Sequence, residues 1–378
     1  MSDFIPVNEP RLNGNEKDYL LDCIDSGWVS SEGPYVTEFE RRMAAHVGRA
    51  QGIAVANGSA ALDIVIEALD IGPGDEVIIP SFTIISCAAP IVRRGATPVL
   101  VDSDSSTWNM DVSTLEHLVT ARTKAVMAVH TYGLPVDMDP LLDIARRHRL
   151  VVIEDAAEAL GLRYKAQQCG SLGDITALSF YPNKHVTTGE GGMVLTDDDA
   201  LADRCRSLRN LCFQPDRRFV HEQLGFNYRL SNLQAAVGVA QLERLDEHVE
   251  FKRRMGLRYT SLLQDCPGIQ LPLTRTEYAD NGYWVYGLVL EDTVPLDARQ
   301  LADELRTRGV GTRPFFFPMN RQPVFLRGGL FEGVSCPVAE RIAERGLYLP
   351  SGLGLTQEQA DRVAAAVTDV LRSAAVSR

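Results

Sequence analysis

The sequence predicts an α/β fold, with a mostly parallel β-sheet covered by helices on both faces and a smaller α+β domain after it. Short, nearly continuous apolar runs alternate with helical patterns through the first half of the chain, which is typical of a parallel sheet buried on both faces. This alternation fades after about residue 196, which indicates a second architecture. At 378 residues the chain is long enough for two domains, and we predict them over 1–248 and 249–378.

The first domain is predicted to begin with two helices, Asn15–Ile24 and Val36–Val47, and then to alternate strands with helices. The predicted strands are Gly52–Ala56, Glu76–Pro80, Thr97–Asp102, Ala125–His130, Leu150–Asp155 and Met193–Thr196. The predicted helices between or after them are Ala60–Leu69, Ser86–Arg93, Val112–Leu118, Asp139–Arg147 and Asp197–Leu208. Helical crossovers of this kind connect parallel neighbours, because each helix returns the chain to the same edge of the sheet.

The remainder of the chain is predicted to be more irregular. A charged, aromatic segment over Arg217–Arg229 precedes a long helix, Leu233–Met255, which Ser231 and Asn232 are suited to cap. We place the domain boundary inside this helix. The predicted elements of the second domain are a strand Tyr283–Leu290, a helix Leu301–Gly309, an edge strand Gly311–Phe315 and a closing helix Gln357–Ser373.

The composition excludes several classes of protein. Hydrophobic residues make up 45% and charged residues 23%, which is ordinary for a globular protein, and the net charge of −12 disfavours nucleic acid and anionic membranes as partners. The seven cysteines are scattered without a C-x-x-C pair, so we expect no metal site and no disulfide framework. No run of 18 or more apolar residues appears, and the polar, proline-containing first residues lead us to expect no signal peptide. We therefore expect a cytoplasmic protein with no membrane partner.

Lys184 is the first candidate for chemistry. It lies between an apolar, strand-like run that ends near Phe180 and a turn rich in glycine and threonine, Thr187–Gly192. A lysine on such a turn is fixed, and a fixed, desolvated amine is nucleophilic enough to form a Schiff base with a carbonyl. The alternative is a solvated loop lysine, so the interpretation depends on what else the sequence supplies.

Three further features of the sequence support the interpretation of Lys184 as a Schiff-base lysine. Asp155 follows a predicted strand, where open α/β sheets bind ligands, and its carboxylate could pair with the protonated pyridine nitrogen of pyridoxal phosphate (PLP) or simply cap a helix. The turn Asn57–Ser59 opens a helix whose free N–H groups could bind phosphate, or it is an ordinary cap. The polar, aromatic segment Gly225–Asn232 lies at another helix start, where a solvated loop is the alternative.

Together these motifs resemble the DegT/DnrJ/EryC/StrS group of sugar aminotransferases, which are PLP enzymes of fold type I, from about Phe4 to the last helix. Within the group the chain is most similar to the GDP-perosamine synthase branch. The resemblance implies a large domain with a seven-stranded sheet and a small C-terminal domain. The motifs that carry it are Gly27–Ser31, His130–Gly133, Glu154–Ala159, Ser179–Phe180 with Lys184, Thr188–Gly192, Asn227–Arg229 and Arg313–Phe316.

The resemblance also implies roles for individual residues. Lys184 would form the Schiff base with PLP and then move the proton, and Asp155 would pair with the pyridine nitrogen. Asn227 would reach the phosphate in the neighbouring subunit, which implies a homodimer with shared active sites. The other cofactor contacts implied are Ser59, Ala60 and Ser179 at the phosphate and Glu158 near the phenolic oxygen. The substrate contacts implied are Trp28, Tyr181, His185, Arg229, Arg313 and Phe315.

One position departs from the group's pattern. Ile84 aligns with an aromatic residue that usually stacks on the cofactor ring, so it can cover the ring only by apolar contact. This departure leaves room for a different acceptor. Related dehydratases carry histidine in place of the lysine, whereas here His185 follows Lys184, which favours transamination over dehydration.

The function predicted is a PLP-dependent, ping-pong aminotransferase that uses L-glutamate to aminate a nucleotide-linked keto sugar resembling GDP-4-keto-6-deoxymannose. One alternative is an aminotransferase that acts on a keto-cyclitol or another acceptor without a nucleotide. Another is a binding protein that keeps the fold without catalysis, and the presence of Lys184, Asp155 and Asn227 argues against it.

Overall fold

The computed structural model of the chain describes residues 4–214 and 216–376. Its large domain contains strands β1 (Gln51–Val55), β2 (Glu76–Pro80), β3 (Thr97–Val101), β4 (Thr123–Val129), β5 (Val151–Asp155), β6 (Arg163–Tyr164), β7 (Gln167–Gln168), β8 (Ile175–Ser179) and β9 (Gly192–Thr196). The helices in the same part of the chain are α1 (Glu16–Asp25), α2 (Pro34–Val47), α3 (Gly58–Ala68), α4 (Ala89–Arg93), α5 (Val112–Leu115), α6 (Met138–His148), α7 (Asp199–Arg209) and α8 (Asn232–Leu242).

Seven of these strands form one sheet in the order β1-β9-β8-β5-β4-β2-β3. The neighbours from β8 through β5, β4 and β2 to β3 are parallel, whereas β9 runs antiparallel to both β1 and β8. The prediction of a mostly parallel, seven-stranded sheet is therefore confirmed. Because β5 and β8 are parallel neighbours, Asp155 and Ala177 lie side by side near the carboxyl edge of the sheet.

The small domain is built on a second, antiparallel sheet in the order β10-β11-β13-β12. Its elements are α9 (Leu245–Leu263), β10 (Ile269–Gln270), β11 (Tyr286–Leu290), α10 (Ala298–Thr307), β12 (Arg313–Pro314), α11 (Pro323–Arg327), α12 (Pro337–Arg345), β13 (Gly346–Leu349) and α13 (Gln357–Val376). Side chains such as Tyr259, Leu301 and Val367 fill its core, and all three are fully buried. The predicted edge strand is β12, which confirms that prediction.

The first described residues pack on the small domain, although the sequence placed them with the large one. The N–H of Ile5 donates to the carbonyl of Gly309 at 2.7 Å, and the N–H of Gly311 donates to the carbonyl of Ile5 at 2.9 Å. The buried side chain of Ile5 joins the small-domain core. The amino-terminal segment thus connects the two domains.

The predicted long helix Leu233–Met255 is wrong, because the chain forms two helices there. Helix α8 ends at Leu242, and Arg244 leaves helical geometry with φ −117° and ψ 12° before α9 begins. The two helices have different partners, since α8 packs on α1 and α2 whereas α9 packs on α13. The apolar period continues on both sides of the break, so the pattern did not reveal it. The boundary near residue 248 stays a prediction.

Two shorter differences have local causes. Tyr283 has a positive φ of 50°, so the predicted strand Tyr283–Leu290 begins only at Tyr286. The predicted helix Ser86–Arg93 is divided into a 3₁₀ turn, Ile85–Cys87, and α4. In the part of the chain that the structure describes, no helix is long and apolar enough to cross a membrane.

Candidate active site

A cavity of about 550 Å³ opens at the carboxyl edge of the large sheet. The ends of β5 and β8 and the first turn of α3 form one wall, and residues of the small domain form the other. Of the residues that the sequence singled out, seven line this cavity: Ser59, Ile84, Asp155, Glu158, Ser179, Tyr181 and Lys184. The fold therefore brings together residues that are up to 125 positions apart between Ser59 and Lys184.

Lys184 presents its amine to the cavity. Its Nζ lies 3.6 Å from Oε1 of Glu158 and 3.8 Å from the ring centroid of Trp284, and only 11% of the side chain is exposed. Burial lowers the pKa of Lys184, and the nearby carboxylates of Glu158 and Asp155 oppose that shift. The solvated loop lysine is thus excluded in this structure, and the amine is desolvated as Schiff-base chemistry requires.

The turn that carries Lys184 is held by bonds to Phe180. The N–H of Thr188 and the hydroxyl of Thr187 both donate to the carbonyl of Phe180, at 2.9 and 3.0 Å. The N–H of Phe180 in turn donates to the carbonyl of Gly191 at 2.8 Å. The glycine and threonine residues therefore fix the main chain on both sides of the lysine.

Asp155 lies at the end of β5 and is 4% exposed. One carboxylate oxygen accepts the N–H of Ala157 at 3.1 Å and the other accepts the thiol of Cys87 at 3.4 Å. Both donors are uncharged, and their lowering effect on the pKa of Asp155 is smaller than the effect of burial, which raises that pKa. The segment after Asp155 is a series of turns, so the predicted helix that it would cap does not form. The arrangement suits a cationic ring nitrogen as partner.

Glu158 faces the same cavity from the turns after β5. Its Oε2 accepts the N–H of Tyr132 at 2.8 Å, and Tyr132 adopts a positive φ of 56° that directs this N–H inward. Burial raises the pKa of Glu158 to about 7, against the influence of Lys184. The carboxyl group can therefore change its protonation near neutral pH.

The first turn of α3 abuts the end of β8. A Cβ on Gly58 would lie 2.8 Å from Cβ of Ser179, and a Cβ on Gly192 would lie 2.5 Å from the carbonyl of Asn57. Only glycine permits such close approach. This packing places the helix N-terminus beside the end of the sheet.

Hydroxyl groups surround that N-terminus. The Oγ atoms of Ser59 and Ser86 are 2.6 Å apart, and both residues line the cavity with Ser179. The N–H of Ala60 donates to Oδ1 of Asn57 at 2.8 Å, so the helix is capped as the alternative interpretation expected. A cap and an anion site are compatible here, because hydroxyl donors and other N–H groups of the turn remain beside the cap.

Ala60 and six other residues that the sequence singled out do not line the cavity. The side chain of His185 is 1% exposed and does not line the cavity, and burial lowers the pKa of its imidazole to about 3. Phe315 is 5% exposed because it fills space that Gly287 and Gly346 leave open. The structure thus gives both side chains a place in the core rather than at a substrate.

The other four lie outside the lining for different reasons. Trp28 and Asn227 are exposed, and Arg229 donates to Oδ1 of Asn210 at 2.5 Å. Arg313 is exposed on β12, directly opposite Tyr348 of β13, whose side chain does line the cavity. Arg313 therefore lies at the rim, within reach of a ligand that extends from the cavity.

Sequence reasoning missed most of the aromatic wall, since only the motif Arg313–Phe316 pointed to one of its residues. Trp284, Phe316 and Tyr348 line the cavity from the small domain, and Ser86 lines it beside Ser59. The neighbouring positions Phe315 and Phe316 are equivalent in the sequence, and only packing distinguishes them. Trp284 was assigned to a strand without a functional signal.

Comparison with known proteins identifies the family. The model of the DegT/DnrJ/EryC1/StrS aminotransferase family matches residues 10–368. The chain belongs to this family. A GDP-perosamine synthase from Caulobacter vibrioides is 45% identical over 376 residues, covering 98% of this chain and 100% of the relative. The aminotransferase TlmJ from Streptoalloteichus hindustanus has a similar structure, with a TM-score of 0.91, 30% identity and coverage of 99% and 100%.

Membership of the DegT/DnrJ/EryC1/StrS family confirms the predicted fold type, enzyme class and cofactor. Spr1654 from Streptococcus pneumoniae, with a TM-score of 0.93, 25% identity and 99% coverage of both chains, has been solved in a PMP form and, separately, in a PLP form. The protein is a PLP-dependent sugar aminotransferase. The residues present fit the cofactor: a buried carboxylate without a direct cationic partner among the described residues, a desolvated lysine, and hydroxyls at a helix N-terminus share one cavity.

Proposed function

We propose that this aminotransferase transfers the amino group of L-glutamate to the keto carbon of a GDP-linked sugar resembling GDP-4-keto-6-deoxymannose, in deoxyaminosugar biosynthesis. The observation that carries the proposal is the desolvated amine of Lys184, which shares a cavity with the carboxylate of Asp155. The choice of acceptor is supported by the Caulobacter relative named GDP-perosamine synthase, which matches over its full length.

The large-domain wall of the cavity would hold PLP, with a different residue at each part of the cofactor. Asp155 would hold the pyridine nitrogen, Glu158 would lie near the phenolic oxygen, and Ser59 and Ser179 would donate to the phosphate. Ala60 would contribute through the position of its helix turn. Bound PLP supplies a conjugated ring that withdraws electrons from the carbon bearing the amino group.

Lys184 would first bind the cofactor covalently and then carry the proton. Burial lowers the pKa of the amine and so favours the neutral form that accepts a proton, and Glu158, 3.6 Å away, stabilises the protonated form that follows. Ile84 would cover the cofactor ring by apolar contact, since it lines the cavity.

The nucleotide would lie at the rim. Arg313 would meet the diphosphate, because a guanidinium presents a planar pair of donors to phosphate oxygens and this chain has a net charge of −12. Tyr181 is half-exposed at the cavity and would contact the sugar. The side chains of Trp28 and Arg229 would contribute from the neighbouring subunit's side.

The active unit would be a homodimer with shared sites. Asn227 is exposed and follows a segment whose Phe219 and Leu224 are 80% and 91% exposed, as fits an apolar arm that a second copy covers. We also place the enzyme in the cytoplasm, since all seven cysteines are free and buried.

A complementation experiment tests the shared site. Lys184→Ala chains and Asn227→Ala chains should each be inactive, and each hybrid dimer should regain about half of a parent dimer's activity, so that a re-equilibrated 1:1 mixture regains about a quarter. One of the two sites in a hybrid has both groups intact. Folded mixtures that stay inactive would contradict the shared site.

The acceptor is tested by a substrate screen. The purified enzyme with L-glutamate is offered GDP-linked, dTDP-linked and UDP-linked 4-keto sugars and a free keto-cyclitol, and the products are identified by mass spectrometry. We expect amination of the GDP-linked sugar with a kcat/KM at least about tenfold above the others, as the loss of one hydrogen bond would give. Amination of the cyclitol alone would instead favour the acceptor that Ile84 leaves open.

A further inference from the structure

Trp284 lies just before β11 of the small domain, yet its side chain faces the Lys184 turn of the large domain. Its Nε1–H donates to the carbonyl of Asn183 at 2.9 Å, and its ring centroid lies 3.8 Å from Nζ of Lys184. The indole is 4% exposed and lines the cavity. One side chain therefore contacts both the main chain next to the lysine and the lysine's reactive atom.

The main chain of Trp284 is fixed in its turn. Lys252, which is 1% exposed, donates from Nζ to the carbonyl of Trp284 at 3.0 Å and also to the carbonyl of Ser351. A Cβ on Gly133, whose φ is 94°, would lie 2.4 Å from the backbone nitrogen of Trp284, so that turn packs directly against it. A buried lysine is costly unless its N–H groups are paired. The hydrogen bond to the carbonyl of Trp284 pairs one of the Lys252 N–H groups and so reduces the cost of burying this lysine.

The amine of Lys184 thus has two neighbours of different kinds, the carboxylate of Glu158 and the indole of Trp284. Glu158 carries a charge that depends on pH, whereas the face of the indole is electron-rich at every pH and attracts an ammonium group. The indole also supplies the aromatic surface that Ile84 does not supply at the expected stacking position. The indole contacts the Lys184 amine, whereas the residue at position 84 would cover the cofactor ring, so the two side chains have different functions.

We propose that Trp284 is a positioning residue for the transamination, whose N–H fixes the Lys184 turn and whose ring face holds the Lys184 amine in the cavity. This inference rests on the proposed role of Lys184 as the amine that binds the cofactor and carries the proton. The competing explanation is that the indole only fills space between the domains.

The ring face is tested with fluorinated tryptophans placed at position 284, because fluorine weakens the negative face while nearly preserving the shape of the ring. The full chain, freed of cofactor, is pulse-labelled with acetic anhydride over a pH series, and the Lys184 peptide is quantified by mass spectrometry. A weaker face stabilises the ammonium less, so the apparent pKa of Lys184 should fall stepwise, by about one pH unit across the series. A titration that does not move would overturn this part of the proposal.

The N–H is tested separately with 3-benzothienylalanine at position 284, which replaces the N–H by sulfur in a ring of the same shape. The dissociation constant for PLP, measured by absorbance titration, should rise about three- to tenfold, because one hydrogen bond is lost. Trp108 is the matched control, since it is equally buried at 3% and its Nε1 has no hydrogen-bond partner among the described residues. The same two substitutions there should change neither quantity, and equal effects at both positions would indicate simple packing.

A final measurement separates this inference from the role on which it rests. The parent enzyme is reduced with borohydride in the presence of PLP, and the modified lysine is identified. Modification elsewhere than Lys184 would refute the proposed role of that lysine. Modification at Lys184 together with unchanged titration and PLP affinity in the Trp284 variants would refute only the positioning role.

Discussion

The two walls of the cavity hold their groups in different ways. On the large-domain wall, Asp155 ends β5 and Lys184 lies on the turn after β8. The N–H of Ala157 holds the Asp155 carboxylate, and the hydroxyl of Thr187 holds the Lys184 turn through the carbonyl of Phe180. On the small-domain wall, aromatic rings pack against one another. The ring centroid of Tyr132, at the junction of the two domains, lies 5.1 Å from that of Phe316 and 6.1 Å from that of Tyr348. The first arrangement is rigid and charged, whereas the second is broad and apolar.

The difference suggests a division of labour. Rigid main-chain contacts suit groups that must meet a reacting atom within a fraction of an ångström. Apolar rings with an exposed cation at the rim, as with Tyr348 and Arg313, suit recognition of a larger ligand. Changes on the first wall, and at Trp284, which contacts Lys184, should therefore impair both half-reactions, whereas changes at Phe316, Tyr348 or Arg313 should impair mainly the one that uses the nucleotide sugar.

Lys184→Ala should have the largest effect. Turnover should fall at least about a thousandfold, because the chain loses the amine that would move the proton, while PLP still binds noncovalently. Rapid mixing with glutamate alone and with the keto sugar alone measures each half-reaction. A loss of rate confined to the keto-sugar half-reaction would contradict the expectation that the large-domain wall serves both half-reactions.

Asp155→Asn should have the next largest effect. The substitution preserves the shape but removes the charge that would keep the pyridine nitrogen protonated, so both half-reactions should slow about a hundredfold or more. Spectra of the bound cofactor over pH provide an independent readout of that protonation. Rates within a factor of two of the parent would show that the carboxylate only organises the turn after β5.

Arg313→Ala should have a smaller and more selective effect. Because the guanidinium would contact only the nucleotide, the KM for the keto sugar should rise about tenfold and the glutamate half-reaction should be unchanged. Arg308→Ala is the matched control, since Arg308 is also exposed on the small domain but pairs with Glu304 on its own helix. Equal damage to both half-reactions would indicate a folding defect instead.

Glu158→Gln should have the smallest of these effects, and the quantity that it changes is the free energy of unfolding. Burial raises the pKa of Glu158 from 4.5 to about 7, so the folded state binds more protons than the unfolded state between these values. The stability that this group contributes is therefore present at low pH and lost as pH rises through 7. Urea unfolding of the cofactor-free chain should show that the stability of the variant relative to the parent is about 2 kcal/mol greater at pH 8 than at pH 5.5. A gain that is the same at both pH values would show that Glu158 does not titrate as described.

Local pattern determined most of the large-domain wall. The strand before Asp155, the turn Asn57–Ser59 and the turn after Lys184 each have a sequence signature, because strand ends, helix starts and glycine-rich turns are set by nearby residues. The parallel arrangement of β5 and β8 was not predictable from the alternation of strands and helices, because the hairpin β6–β7 and turns, rather than a helix, connect these two strands. The resemblance to the family added the roles of these residues.

Only the tertiary structure decided the small-domain wall. Phe316 faces the cavity and Phe315 the core because Gly287 and Gly346, remote in the sequence, leave a space that one ring fills. Trp284 reaches Lys184 because Lys252 and Gly133 fix its main chain. Side chains that act through packing depend on contacts between distant segments, and no local spacing records such contacts.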